Sequence, residues 1–231
     1  MGEVKRENKK GKRKRMRNIK LTIEYDGKDF NGWQKQPDKL NIQGTIEKAI
    51  EAVTGEVTEL NASGRTDAGV HAIGQVANFK TNSKIPIEKI PVALNTKLKK
   101  TIRIINAEEV DERFHSRLSC KRKTYRYVIN NSEFSSALYR NLECHIPQKL
   151  NIEKMQEAAK YFEGEHDFKA FKASGTSSKS SVRTIYEAKV YKREDTRICI
   201  ELTGNGFLYN MVRIIAGTLV RSEEHTSELQ S

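Results

Sequence analysis

Asp67 sits in the segment ASGRTDAGVHA, residues 62–72, with Arg65 two positions before it and Thr66 between them. A carboxylate in such a loop can serve as a nucleophile or as a general base. Arg65 and Thr66 offer donors for phosphate or carboxylate. Gly64, Ala68 and Gly69 let a ligand or another backbone come close. The common small motifs do not fit. TDAG lacks the Asp-Ser/Thr-Gly order of an aspartic protease, and the glycine spacing matches neither a dinucleotide-binding turn nor a P-loop. His71 has no second histidine at metal spacing. His115, His145, His166 and His225 are isolated, so each reads as hydrogen-bonded or solvent-exposed. Taken alone, a loop aspartate is most often a turn-former or a helix cap.

Several elements must position this loop. Ile19, Leu21, Ile23 and Tyr25 alternate with polar residues and predict a half-buried strand, turned at Asp26-Gly27. Ile42, Ile46, Ala49, Ile50 and Val53 predict one face of a helix, capped by Asn41 and stopped at Gly55. A strand near 56–61 leads into the loop and Gln75–Thr81 leaves it. Pro86 opens a helix ending near Lys97, and Thr101–Ala107 is a strand. A second half starts near Ser116. It holds the strand Thr124–Ile129, a helix capped by Asn151 and stopped at Gly164, a polar loop over 172–181, the strands Arg183–Lys192 and Arg197–Leu202, and a final helix after Gly204-Asn205-Gly206. The pattern predicts an α+β fold of two similar halves, 16–115 and 116–220, sharing one continuous, mostly antiparallel sheet with a site in the central cleft.

The net charge is +12. Residues 1–15 carry a surplus of +6 and the last eleven sum to −2, so residues 16–220 carry +8. A body this basic points to a polyanion, RNA or DNA before a membrane. No apolar run approaches the roughly 20 residues that span a bilayer. Cys120, Cys144 and Cys199 are too few and too scattered for a disulfide framework, which fits a reducing cytoplasm. Residues 1–15 read as a disordered basic arm or a misread start before Met16. Residues 221–231, RSEEHTSELQS, read as a non-native, adapter-derived tail. The natural C-terminal segment is then expected to be absent.

SGRTDAGVHA, together with Tyr25-Asp26-Gly27 and Gly32-Trp33-Gln34, resembles the active-site region of the TruA family of tRNA pseudouridine synthases. The resemblance continues in order through Phe114-His115-Ser116-Arg117, Lys123-Thr124-Tyr125-Arg126-Tyr127, Glu165-His166-Asp167-Phe168, Arg183-Thr184-Ile185 and Gly206-Phe207-Leu208-Tyr209-Asn210-Met211-Val212-Arg213. It covers about residues 16–220. It implies the pseudouridine synthase fold and an isomerase that converts uridine to pseudouridine at positions 38, 39 and 40 of the tRNA anticodon arm. It also implies no metal or cofactor, and a homodimer that holds tRNA across both subunits. A tRNA-binding protein that keeps the scaffold without the chemistry is the alternative.

The reaction breaks the N1–C1′ bond, turns the uracil and joins C5 to C1′. The base must first leave its stack, at a cost of about a few kcal/mol. A carboxylate then acts as nucleophile at C1′ or as base at C2′, and it must be ionised, so a nearby cation is required. The resemblance makes Asp67 the catalytic carboxylate and Arg213 its ion-pair partner. From the residues alone, Arg213 reads as an arginine snorkelling from an apolar helix. The resemblance places Tyr125 on the target uracil, where the residues alone give a sheet-face aromatic. Arg65 would meet the flipped nucleotide's backbone or fill its gap. Phe207 and Leu208 would wall the pocket, or simply pack the core. Lys121, Arg122 and Lys123 suit phosphate contacts, or form a solvated face.

Overall fold

The computed structural model describes residues 16–175, 180–193 and 196–228, with side chains as far as residue 222. The basic arm, the middle of the polar 172–181 loop and residues 229–231 lie outside them. The chain divides into two units, Met1–Ser119 and Cys120–Ser231.

In the first unit, β1 (Arg17–Tyr25) buries Ile19, Leu21, Ile23 and Tyr25 on one face, as its alternation requires. Next come α1 (Ile42–Thr54), β2 (Asn61–Ala62), β3 (Ala72–Thr81), α2 (Ile90–Lys97) and β4 (Ile102–Val110). The strands form an antiparallel sheet in the order β2-β3-β1-β4. At the start of α1 the Asn41 side chain accepts from the Gly44 N–H. Gly55 ends the helix at φ 72°, its N–H donating to Glu51 O. A cap of this kind is worth about 1 kcal/mol. Ile42, Ile46, Ala49 and Ile50 then bury the helix face in the core beneath the sheet.

Two local expectations change. Residues 56–60 do not join the ladder: the Leu60 N–H donates to Glu47 Oε1 and the Thr58 hydroxyl to Lys80 O, so side chains take over the sheet's bonding there. The helix expected from Pro86 begins instead as a 3₁₀ turn, Ile87–Lys89, before α2, which has proline in its first turn. The segment after β4 is tied back to this unit. Asn18 Nδ2 donates to Asp111 O and Phe114 O, Asn78 Nδ2 donates to Asn18 Oδ1, and the Ser116 N–H donates to Asn78 Oδ1.

The second unit holds β5 (Lys123–Asn130), β6 (Cys144–His145), α3 (Ile152–Lys160), β7 (Gly164–Asp167), β8 (Val182–Lys192), β9 (Arg197–Gly204) and α4 (Met211–Glu228). Its sheet runs β6-β5-β9-β8-β7, antiparallel except for the short β5–β6 pair. Met155 and Ala159 of α3 and Met211, Ile215, Ala216 and Leu219 of α4 fill its core. Helix α4 runs on to Glu228, through residues that the sequence reading sets apart from the fold. Among the described residues the ladders form two sheets, one per unit, where a single continuous sheet is expected. Alternation marks which residues face a core, but it does not choose the partner strand. The fold is otherwise the expected α+β arrangement. Among the described residues no helix is long and apolar enough to cross a membrane.

Candidate active site

The Asp67 loop joins β2 to β3 and is held at nearly every step. On its entering side, Gln75 Nε2 donates to Gly64 O at 2.5 Å and its Oε1 accepts from the Ser63 hydroxyl at 3.1 Å. The Ser63 N–H donates to Val76 O. In the middle, the Trp33 N–H donates to Thr66 O at 3.0 Å, and the Tyr25 hydroxyl lies 2.8 Å from Thr66 Oγ1. On the leaving side, the Gly69 N–H donates to Phe30 O and the Val70 N–H to Asp67 O.

Two glycines make this packing possible. A Cβ on Gly27 would lie 1.9 Å from Val70 O. One on Gly32, which has φ +83°, would lie 2.6 Å from Thr66 O. No side chain fits either gap. Within the loop itself the glycine argument is different. Gly69 has φ +75° and open space where a Cβ would stand, so it serves the left-handed backbone rather than a close approach.

His71 closes the loop against the turn after β1. Its Nδ1 lies 3.2 Å from the Gly27 N–H and 3.0 Å from Asp26 Oδ1. A neutral ring accepts from Gly27, and a protonated ring donates to Asp26, so Nδ1 has a partner in either state. Asp67 is half-buried and Arg65 exposed. The expected carboxylate therefore stands on a rigid support, next to a cation whose side chain faces solvent.

The second unit groups the remaining candidates. Tyr125 lies on β5 opposite Leu202 of β9. Its ring meets Phe207 at 5.0 Å between centroids. Phe207 follows a tight turn: the Asn205 N–H donates to Thr184 O, and a Cβ on Gly204 would come within 2.8 Å of that same oxygen. Leu208 is 6% exposed and belongs to the core of this unit, so its contact surface is mostly spent on packing. Asn210 takes a left-handed conformation, φ 58°, and its carbonyl accepts from the Ile214 N–H as α4 begins.

Arg213 lies off the buried stripe of α4 and is exposed. The reading of the residues alone, an arginine reaching the surface from an apolar helix, agrees with this placement: Met211, Ile215, Ala216 and Leu219 turn inward, and Arg213 does not. Its charge still reaches β5. Burial, then a hydrogen bond with the Cys144 thiol, pushes the Tyr127 hydroxyl up to about 12, and Arg213 pulls against that shift. Tyr127 lies two residues from Tyr125 on the same strand face. Arg213 is thus electrostatically close to the strand that carries Tyr125.

Lys121 and Arg122 are exposed and Lys123 half-buried at the start of β5. Arg122 does not merely dangle in solvent, for its guanidinium lies 5.9 Å from the centre of the Tyr186 ring. Among the described residues no group of three or more His, Cys, Asp or Glu is arranged to hold a metal ion.

The sequence reading set Tyr25, Gly27, Gly32, Trp33 and His71 within the active-site resemblance without seeing that they hold the loop, and it did not single out Gln75. Polar residues beside a marked motif were the available signal, with Tyr25-Asp26-Gly27 and Gly32-Trp33 flanking it at a distance.

Comparison with known proteins identifies the class. The family described as tRNA pseudouridine synthase matches residues 21–118 and 158–231. The tRNA pseudouridine synthase A of Ruminiclostridium cellulolyticum is 52% identical over 217 residues, covering 93% of this chain and 89% of that protein. The protein of the same name from Acetivibrio thermocellus is 54% identical over 205 residues, covering 89% and 84%. Among solved structures, a chain of a Cbf5-Nop10-Gar1 complex superposes with a TM-score of 0.36 at 13% identity, covering 86% of this chain and 54% of that one. The chain belongs to the TruA family of tRNA pseudouridine synthases.

Proposed function

We propose that the chain isomerises uridines 38, 39 and 40 of the tRNA anticodon arm to pseudouridine, with Asp67 as the catalytic carboxylate. The isomerase class follows from family membership, and that membership is the observation that carries the reading. The uridine loses its N1–C1′ bond, gains a C5–C1′ bond, gives up the C5 proton and takes one at N1, so no atom enters or leaves overall.

Asp67 serves the cleavage as nucleophile at C1′ or as base at C2′. In both roles it is ionised, and Arg213 is the cation assigned to keep it so. Tyr125 stacks on the extruded uracil, steadied by Phe207. Leu208 backs this wall from the core. Arg65 meets the backbone of the flipped nucleotide, which its exposure allows. Lys121, Arg122 and Lys123 take phosphates. The support for Asp67 is the rigidity of its loop, because a reacting group gains from being held in place. The protein works as a cytoplasmic homodimer on tRNA.

The test is incubation with unmodified tRNA carrying uridine at 38–40, followed by mapping of pseudouridine. Product at those positions, lost in Asp67→Ala with tRNA binding retained, is the expected result. Binding without product from the unaltered chain would leave the non-catalytic scaffold as the function. Unchanged turnover in Asp67→Ala would remove that residue from the chemistry.

A further inference from the structure

We infer that the Tyr25 hydroxyl is a positioning group for the isomerisation, acting on Asp67 through Thr66; this rests on the role given to Asp67 above. Tyr25 ends β1 and is 3% exposed, so its ring does not meet RNA. The ring packs beside Trp33, centroids 6.0 Å apart. A phenylalanine would fill this space equally well. The hydroxyl is the difference, and it lies 2.8 Å from Thr66 Oγ1.

Thr66 is gripped from three directions. Tyr25 meets its hydroxyl, the Trp33 N–H bonds its carbonyl at 3.0 Å, and Gly32 leaves the gap that this carbonyl occupies. The residue next in the chain is Asp67. With Thr66 fixed at both side chain and carbonyl, the backbone from which the carboxylate springs is fixed as well. A valine at position 66 would keep the shape and lose the grip. A reacting group displaced by about 1 Å loses rate on the order of a hundredfold, so a partial release of Thr66 should be legible in turnover.

The experiment compares single-turnover rates and tRNA affinity for the unaltered chain, Tyr25→Phe, Thr66→Val, the double variant, Thr66→Ser and Asp67→Asn, with a thermal melt of each. Tyr25→Phe and Thr66→Val should each lower the chemical rate about tenfold while tRNA affinity stays within about twofold. The double variant should be no slower than the slower single, because both remove one interaction. Thr66→Ser, which restores the hydroxyl, should recover most of the rate. A purely structural role would move the melts without this split and without the rescue.

A wild-type rate in Tyr25→Phe, or a double variant whose loss is the product of the singles, overturns the inference. Should Tyr25→Phe fail to fold, Thr66→Val against Thr66→Ser at the half-buried position carries the same decision. Asp67→Asn separates the two ideas. If it is inactive while Tyr25→Phe is fully active, only the positioning role fails. If Asp67→Asn keeps its rate, the reading of Asp67 itself fails.

Discussion

Tyr125 meets Phe207 edge to face, with ring centroids 5.0 Å apart and planes at 73°. One ring rises from β5, the other from the turn that follows β9, so two elements fix one aromatic surface. Edge-to-face pairs contribute about 0.5–1.5 kcal/mol beyond burial. Phe207→Leu is expected to lower turnover by up to about tenfold with tRNA binding intact. Tyr125→Leu, which removes the ring proposed to stack on the extruded uracil, should lower it more than Phe207→Leu does. Release of tritium from C5-labelled uridine in tRNA measures both. Full activity in Phe207→Leu would mean that the ring pair is not what holds Tyr125.

The glycines around the loop give a stability series. Gly27→Ala puts a Cβ 1.9 Å from a carbonyl oxygen, and Gly32→Ala combines a 2.6 Å contact with positive φ. Each should destabilise by roughly 3 kcal/mol or more. Gly55 has φ +72° but open space around it, so Gly55→Ala should cost only about 1 kcal/mol. Urea unfolding curves rank the three. A Gly27→Ala loss no larger than that of Gly55→Ala would show that the loop yields to the added Cβ without much cost.

Salt dependence tests the basic cluster. If Lys121 and Arg122 each neutralise a phosphate, Lys121→Ala and Arg122→Ala should each weaken tRNA binding and reduce the slope of log affinity against log salt by about 1. Filter binding across a potassium chloride series reads this directly. An unchanged slope in both variants would return the cluster to an ordinary solvated face.

Stability at high pH should depend on Tyr127. Its hydroxyl titrates near 12 in the folded chain, against 10.0 ordinarily, chiefly through burial. As pH rises, the unfolded chain loses this proton first. The contribution is therefore fully present below pH 10 and is lost between pH 10 and about 12. Tyr127→Phe should flatten the fall in urea midpoint across that window. A parallel fall in both proteins would place the high-pH loss elsewhere.

Much of this was legible in the sequence where local rules act alone. Asn41, Gly55 and Asn151 cap as their types predict, and β1, β5 and β9 follow the two-residue alternation, whereas β8 breaks it at a bulge between Ile185 and Glu187. Legibility failed where bonding is non-local. Glu47 captures the Leu60 N–H from a neighbouring helix, and nothing in residues 56–60 announces it. The two-residue β6 and the exposed β7 carry too little pattern to be seen. In the site, the motif marked Asp67 but not its supports. Tyr25 looked like the last core residue of a strand, which it is, and only the fold brings its hydroxyl to Thr66, 41 positions along the chain. Arg213 was legible as an arginine that reaches the surface from an apolar helix, because the spacing of its apolar neighbours already sets it off their stripe.

Bonds from Tyr25, Gly27, Phe30, Trp33, Asp67, Gln75 and Val76, residues of the same unit, hold Ser63, Gly64, Thr66, Gly69, Val70 and His71. Ordering a backbone residue costs about 1–2 kcal/mol in entropy. For this loop that loss falls within folding, long before any RNA arrives. Association then spends none of its free energy on freezing the loop. With Asp67 as the reacting group, as proposed above, the backbone that carries its carboxylate is set by folding and not by the arrival of RNA.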